Sequence, residues 1–182
     1  MYKDNIQSTL SPDTTDYDST EDLPSDNKKV VLYGDDAVAR VREMEGGREL
    51  SVPEELVIRE EGFVNAVYKD TKGISTYGVG QTGKYMDMPF GEVFKMHEDV
   101  ARKYIKKYDE MGEEVKAAIM SAAYRGDLKQ SPTFRRLFNA GEYKEAAKEF
   151  LNNDDYRESL VSGDGVAGRF ERIAGAVLKL AG

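Results

Sequence analysis

Hydrophobic spacing changes character along this chain. Residues 1–28 place few apolar side chains among Asp, Ser and Thr, so they bury too little surface to offset ordering, and a disordered acidic tail is expected. Val30 to Tyr33 read as a short strand. Asp35 is placed to cap a helix to about Glu45, stopped by Gly46-Gly47. Ser51-x-x-Glu54 is a capping box with Pro53 in the first turn; its helix should run to Glu61 and end at Gly62. Asn65–Asp70 and Ile74–Gly80 then read as two strands joined by Thr71-Lys72-Gly73, with Gly73 supplying the positive φ of a three-residue hairpin loop.

From Pro89 the period becomes helical. Phe90, Val93, Phe94, His97, Val100, Ala101, Tyr104, Ile105 and Tyr108 make one stripe, predicting a helix over 89–109. Further helices are predicted over 113–124, 133–140, 143–151 and 166–180. The fold class is α+β: a small N-terminal lobe containing a β-hairpin and a mostly helical C-terminal lobe, joined by a long helix. Residues 1–28 are the tail, 29–50 an adapter segment, and 51–182 the main domain, divided at 88/89 into a mixed lobe and a helical lobe.

Charge and composition narrow the function. The net charge is −8, but the tail holds seven acids and two bases, leaving the body only −3. Neither part offers the basic field that nucleic acids or anionic membranes attract. No apolar run reaches the ~18 residues of a membrane span, and the N-terminus lacks the order of a secretory signal. The chain has no cysteine, which excludes disulfides, thiolate catalysis and Cys-ligated metals, and its one histidine, His97, sits on an apolar stripe as a packed residue would. No cofactor or metal is implied.

Three polar groups point to chemistry. Glu61 ends a helix, Asp70 opens the tight turn nine positions on, and Thr76 lies in the returning strand. A carboxylic acid at a helix C-terminus beside Phe63 and Val64 is disfavoured as an anion by the macrodipole and by desolvation, which suits a general acid. If Tyr68 pairs with Thr76 and Asp70 with Ile74, Asp70 and Thr76 share one face and can hold a water opposite Glu61. Taken singly, each has a commonplace role as a surface charge, an Asx-turn residue or a β-branched strand residue; the joint spacing carries the reading. Tyr77, Tyr85 and Tyr124 are either sugar-stacking or core residues, and Arg125-Gly126-Asp127 either faces the cleft or pairs locally. Gly78-x-Gly80 lacks the Lys and helix of a phosphate loop; such glycines let a sugar or water approach the backbone.

The run Glu61-Gly62, Tyr68-Lys69-Asp70-Thr71-Lys72-Gly73, Thr76-x-Gly78-x-Gly80 resembles the active-site signature of phage-type lysozymes, the family of T-even-phage-like muramidases and phage endolysins. Pro132 to Tyr143 and the final helix with Arg169 and Arg172 resemble it as well, so the likeness spans about residues 51–180. It implies a lysozyme-like fold and a muramidase cutting the β-1,4 MurNAc–GlcNAc bond of peptidoglycan; a water attacking opposite Glu61 would make the reaction inverting. It implies Glu61 as general acid, Asp70 and Thr76 as water ligands, and Arg169 or Arg172 as the arginine near Glu61; Tyr68, Gly80 and Arg125 are the further candidates for binding substrate. Gln81 departs from the family's His, which should alter a supporting hydrogen bond more than the chemistry. Peptidoglycan strands are the expected partner, and a virion protein held through the N-terminal segment is a second candidate. A phage origin and delivery to the wall by another protein, from the virion or the host cytoplasm, complete the expectation. The competing readings are a non-catalytic lysozyme-like virion or wall-binding protein and a glycosidase acting on chitin-like chains.

Overall fold

Ser51 starts the helix on which the site depends. In the structure, a computed structural model describing residues 29–70, 73–163 and 165–182, the Ser51 hydroxyl accepts from the Glu54 N–H at 3.4 Å while the Glu54 carboxylate accepts from the Ser51 N–H at 2.8 Å. The tail expected over residues 1–28 and the loop residues Thr71 and Lys72 lie outside the described residues. The helix so capped, α2 (Val52–Glu61), follows β1 (Val31–Leu32) and α1 (Gly34–Met44). Asp35 does not cap α1. The N-cap position is Tyr33, without a side-chain bond, and Asp35 lies in the first turn, where it pairs with Arg59 of α2.

Gly62 closes α2 at φ 70°, ψ −171°, a conformation open essentially to glycine alone. A Cβ there would also meet the Leu32 carbonyl oxygen at 2.9 Å. Gly62→Ala should therefore lower stability by roughly 2–4 kcal/mol, measured by denaturant unfolding.

Beyond Gly62 the chain forms an antiparallel sheet in the order β1-β2-β3-β4, with β2 at Phe63–Lys69, β3 at Ser75–Gly78 and β4 at Gln81–Thr82. The expected register holds: Tyr68 is opposite Thr76, and Asp70 N–H donates to the Ile74 carbonyl at 3.0 Å. The second predicted strand is shorter than read. Gly78 and Gly80 take φ 62° and 68°, which turns the chain back as β4, with Gln81 opposite Tyr77.

The long helix α3 (Phe90–Tyr104) stops five residues before its predicted end at 109. Ile105 is extended at φ −114°, ψ 104°. Asn139 secures the break, donating to the Tyr104 carbonyl at 2.8 Å and accepting from the Lys106 N–H at 3.0 Å. Ile105 and Tyr108 remain buried through the following turn, so the periodicity marked the core correctly and the helix end incorrectly.

Then come α4 (Glu113–Tyr124), α5 (Asp127–Gln130), α6 (Pro132–Asn139), α7 (Tyr143–Phe150), α8 (Asp154–Ser162) and α9 (Val166–Leu178). The helix α8 has no apolar stripe to betray it. Its cap Asn153 accepts from the Tyr156 N–H at 2.7 Å, and Gly163 ends it in the left-handed region. At the centre, α4 buries every residue from Ala117 to Tyr124 and packs on α2, α3 and α9, its alanines allowing close approach. The architecture is the α+β, lysozyme-like arrangement expected: a small sheet lobe and a helical lobe with α3 between them.

Candidate active site

Glu61 is the last residue of α2 and is 1% exposed. Of the two C-terminal arginines, Arg169 is the one that reaches it. Its Nη1 donates to Glu61 Oε1 at 2.7 Å, and its Nη2 donates to the Glu60 carbonyl. Arg172 pairs instead with the Glu60 carboxylate, whose other oxygen accepts from the Ser121 hydroxyl on α4. Thus α9 and α4 together clamp the end of α2. Glu60 was not singled out in the sequence. Its signal is the acid doublet closing α2, matched by two arginines three residues apart on α9.

The environment holds the Glu61 carboxyl protonated to about pH 7. Burial is the largest cause and the Glu60 charge adds to it, while the Arg169 and Arg125 charges oppose. Glu61 Oε2 is buried without a hydrogen-bond partner. Oε1 is committed to the guanidinium, so the proton belongs on Oε2. The arginine is placed to stabilise the carboxylate anion whenever that proton is lost.

Arg169 opposes the upward displacement, so Arg169→Met should move the alkaline limb of activity to higher pH, read from a pH–rate profile. It should also cost roughly 1–3 kcal/mol of stability, because the Glu60 carbonyl loses a charged donor.

Asp70 and Thr76 lie together across the hairpin. Asp70 Oδ1 accepts from the Ile74 N–H at 2.8 Å, and the Thr76 hydroxyl donates to the Ile74 carbonyl at 3.2 Å. Tyr68 is opposite Thr76 and two residues before Asp70, so all three point to one face. The Tyr68 phenol is pushed up to about 12 by burial and then by the charges of Glu61 and Asp70. The charges of both carboxylates thus reach the same phenol.

The other candidates divide. Arg125 is 2% exposed, holds Asp127 at 2.9 Å and stacks over Phe170, so it acts on Glu61 through its charge from inside the core. Gly80 is a buried turn glycine. Tyr124 is buried and donates to the Val79 carbonyl at 2.6 Å, tying the helical lobe to the hairpin. Tyr77 stacks edge-on with Phe63 on the opposite face of the sheet, and Tyr85 neighbours His97. The His97 ring packs 4.6 Å from Tyr124 with Nδ1 against the Val93 carbonyl at 2.8 Å, and burial lowers its basicity. Gln81 also faces away from Asp70. Its amide donates to the Tyr85 and Met88 carbonyls at 3.0 and 2.8 Å and so staples the connection to α3.

A cavity of about 550 Å³ lies on that opposite face between Met44, Phe63, Val67, Tyr77 and Met88, away from both carboxylates. Among the described residues no cluster of His, Asp and Glu could hold a metal ion, and no helix is long and apolar enough to cross a membrane.

No curated protein matches the chain. The phage lysozyme family model matches residues 58–172, a span that takes in Glu61, the hairpin and both arginines of α9. A match over more than half of the sequence, on a fold that brings these residues together, shows that the chain belongs to the phage lysozyme family and is a lysozyme-type glycoside hydrolase of peptidoglycan.

Proposed function

We propose that the protein is a muramidase that hydrolyses the β-1,4 bond between N-acetylmuramic acid and N-acetylglucosamine with inversion. The observation that carries the reading is the buried Glu61 carboxyl, held protonated to about pH 7 with one oxygen on Arg169 and the other unpaired. Glu61 Oε2–H gives its proton to the glycosidic oxygen as the C1–O bond breaks. A water held by Asp70 and Thr76 attacks C1 from the opposite face and passes a proton to Asp70. The new anion on Glu61 is neutralised by Arg169, and solvent proton exchange restores both carboxyls.

Asp70 fits the second role because it lies half-buried at the hairpin turn, fixed by the Ile74 N–H. Tyr68 supports substrate from the same face. The protein reaches the wall through another protein, from the virion or the host cytoplasm, with residues 1–28 as the segment that a virion partner would hold.

Digestion of purified peptidoglycan tests this. The expected products are fragments with reducing N-acetylmuramic acid ends that appear first as the α-anomer by NMR. Anhydro ends would indicate a transglycosylase, and a β-anomer would indicate retention through a covalent intermediate.

A further inference from the structure

The strand β1 lies outside the span that the family model matches, yet it pairs with the start of β2, just after Glu61. Val31 is opposite Val64 and Leu32 opposite Phe63. Phe63 and Val67 line one cavity together with Tyr77, so strand alternation survives the irregularity between Val64 and Tyr68. Leu32 therefore turns to the cavity side, while Lys29, Val31 and Tyr33 turn to the face of Tyr68, Asp70 and Thr76. Side-chain positions agree with this parity. The Lys29 ammonium lies 5.2 Å from the centre of the Tyr68 ring. The Tyr33 ring lies against Gly62, the residue after Glu61, where a Cβ would come within 3.0 Å of it. Tyr33 is 50% exposed and Val31 39%, so this row is not core. A half-exposed aromatic ring and a cation thus lie on the Tyr68 face of the sheet, beside Gly62 and Tyr68.

We propose that β1 is a substrate-binding rim, in which Tyr33 stacks on a pyranose ring of the glycan and Lys29 pairs with a carboxylate carried by the lactyl or peptide substituent of the wall strand. This rests on the peptidoglycan reading above. Aromatic faces suit the apolar side of a sugar ring, and a local cation is needed because the body of the chain is itself slightly acidic. The adapter segment thereby sets specificity for one part of the strand while Glu61 and Asp70 do the chemistry.

The test uses the full chain and measures kcat and KM on peptidoglycan. Binding of soluble peptidoglycan fragments and of uncharged chitin oligosaccharides is measured on the Glu61→Gln chain. Tyr33→Leu keeps an apolar contact with Gly62 and removes the flat ring; it should raise KM and the fragment Kd about three- to tenfold, whereas Tyr33→Phe should stay within about twofold of wild type. Lys29→Met should weaken peptidoglycan binding and reduce its salt dependence, leaving chitin oligosaccharide binding unchanged. Fragment binding should also shift the Tyr33 ring resonances, a readout that needs no substitution at that position.

Unshifted Tyr33 resonances, or unchanged KM and Kd in both Tyr33→Leu and Lys29→Met, would overturn the rim and leave the hydrolase reading standing. Fragments that bind and shift Tyr33 without any hydrolysis by the wild type would sink the hydrolase reading and keep the rim.

Discussion

Glu61→Gln should abolish wall lysis, lowering kcat about 10³-fold or more, because the amide has no proton to give the leaving oxygen. The amide keeps an oxygen for Arg169, so the fold should persist, as circular dichroism would show. A second consequence separates this residue from an ordinary surface acid. The Glu61 carboxyl has an ordinary value of 4.5 and is raised to about 7 in the fold. Below pH 4.5 it is neutral in both folded and unfolded chains and costs nothing. Between these values the unfolded chain ionises first, so wild-type stability falls as pH rises, by about 3 kcal/mol once pH exceeds 7. Glu61→Gln lacks this loss. Its stability relative to wild type should therefore climb across that window, which denaturant unfolding at a series of pH values will show. A difference that stays flat with pH would mean that the group is not buried and protonated, and wild-type turnover by the variant would remove Glu61 from the acid's role.

The second large effect is at the hairpin. Asp70→Asn should lower kcat about 10²–10⁴-fold, and Thr76→Ala by less, since the carboxylate both orients the water and takes its proton while the hydroxyl only orients it. Asparagine retains an oxygen for the Ile74 N–H, so Asp70→Asn should shift stability by less than about 1 kcal/mol. Activity on soluble glycan strands, with melting temperatures as the control, decides the order. A greater loss in Thr76→Ala would count against the shared-water arrangement.

Glu61 and the hairpin are both held by elements distant in sequence. The clamp on Glu61 comes from α9 and α4, more than 50 residues away along the chain, and the rigidity of α4 comes from side chains buried almost all round. Tyr124 of α4 also holds the Val79 carbonyl of the hairpin. Glu61 and the hairpin that carries Asp70 and Thr76 are thus referred to one central helix.

Local chemistry determined much of this from the sequence alone. The capping box at Ser51, the stop at Gly62 and the hairpin register around Gly73 all follow from hydrogen bonds and φ preferences among near neighbours. Glu61, Asp70 and Thr76 stand out as a candidate set for the same reason, since the three lie within sixteen residues.

What tertiary structure decided involves partners distant in sequence or elements without a stripe. Asn139 ends α3, Arg169 rather than Arg172 reaches Glu61, Glu60 joins the site, and Arg125 and Tyr124 belong to the core rather than to the cleft surface. Periodicity reports which face of an element is buried and says nothing about what it is buried against. Pairings made across the chain, and the desolvation that raises Glu61, exist only once the helices have packed.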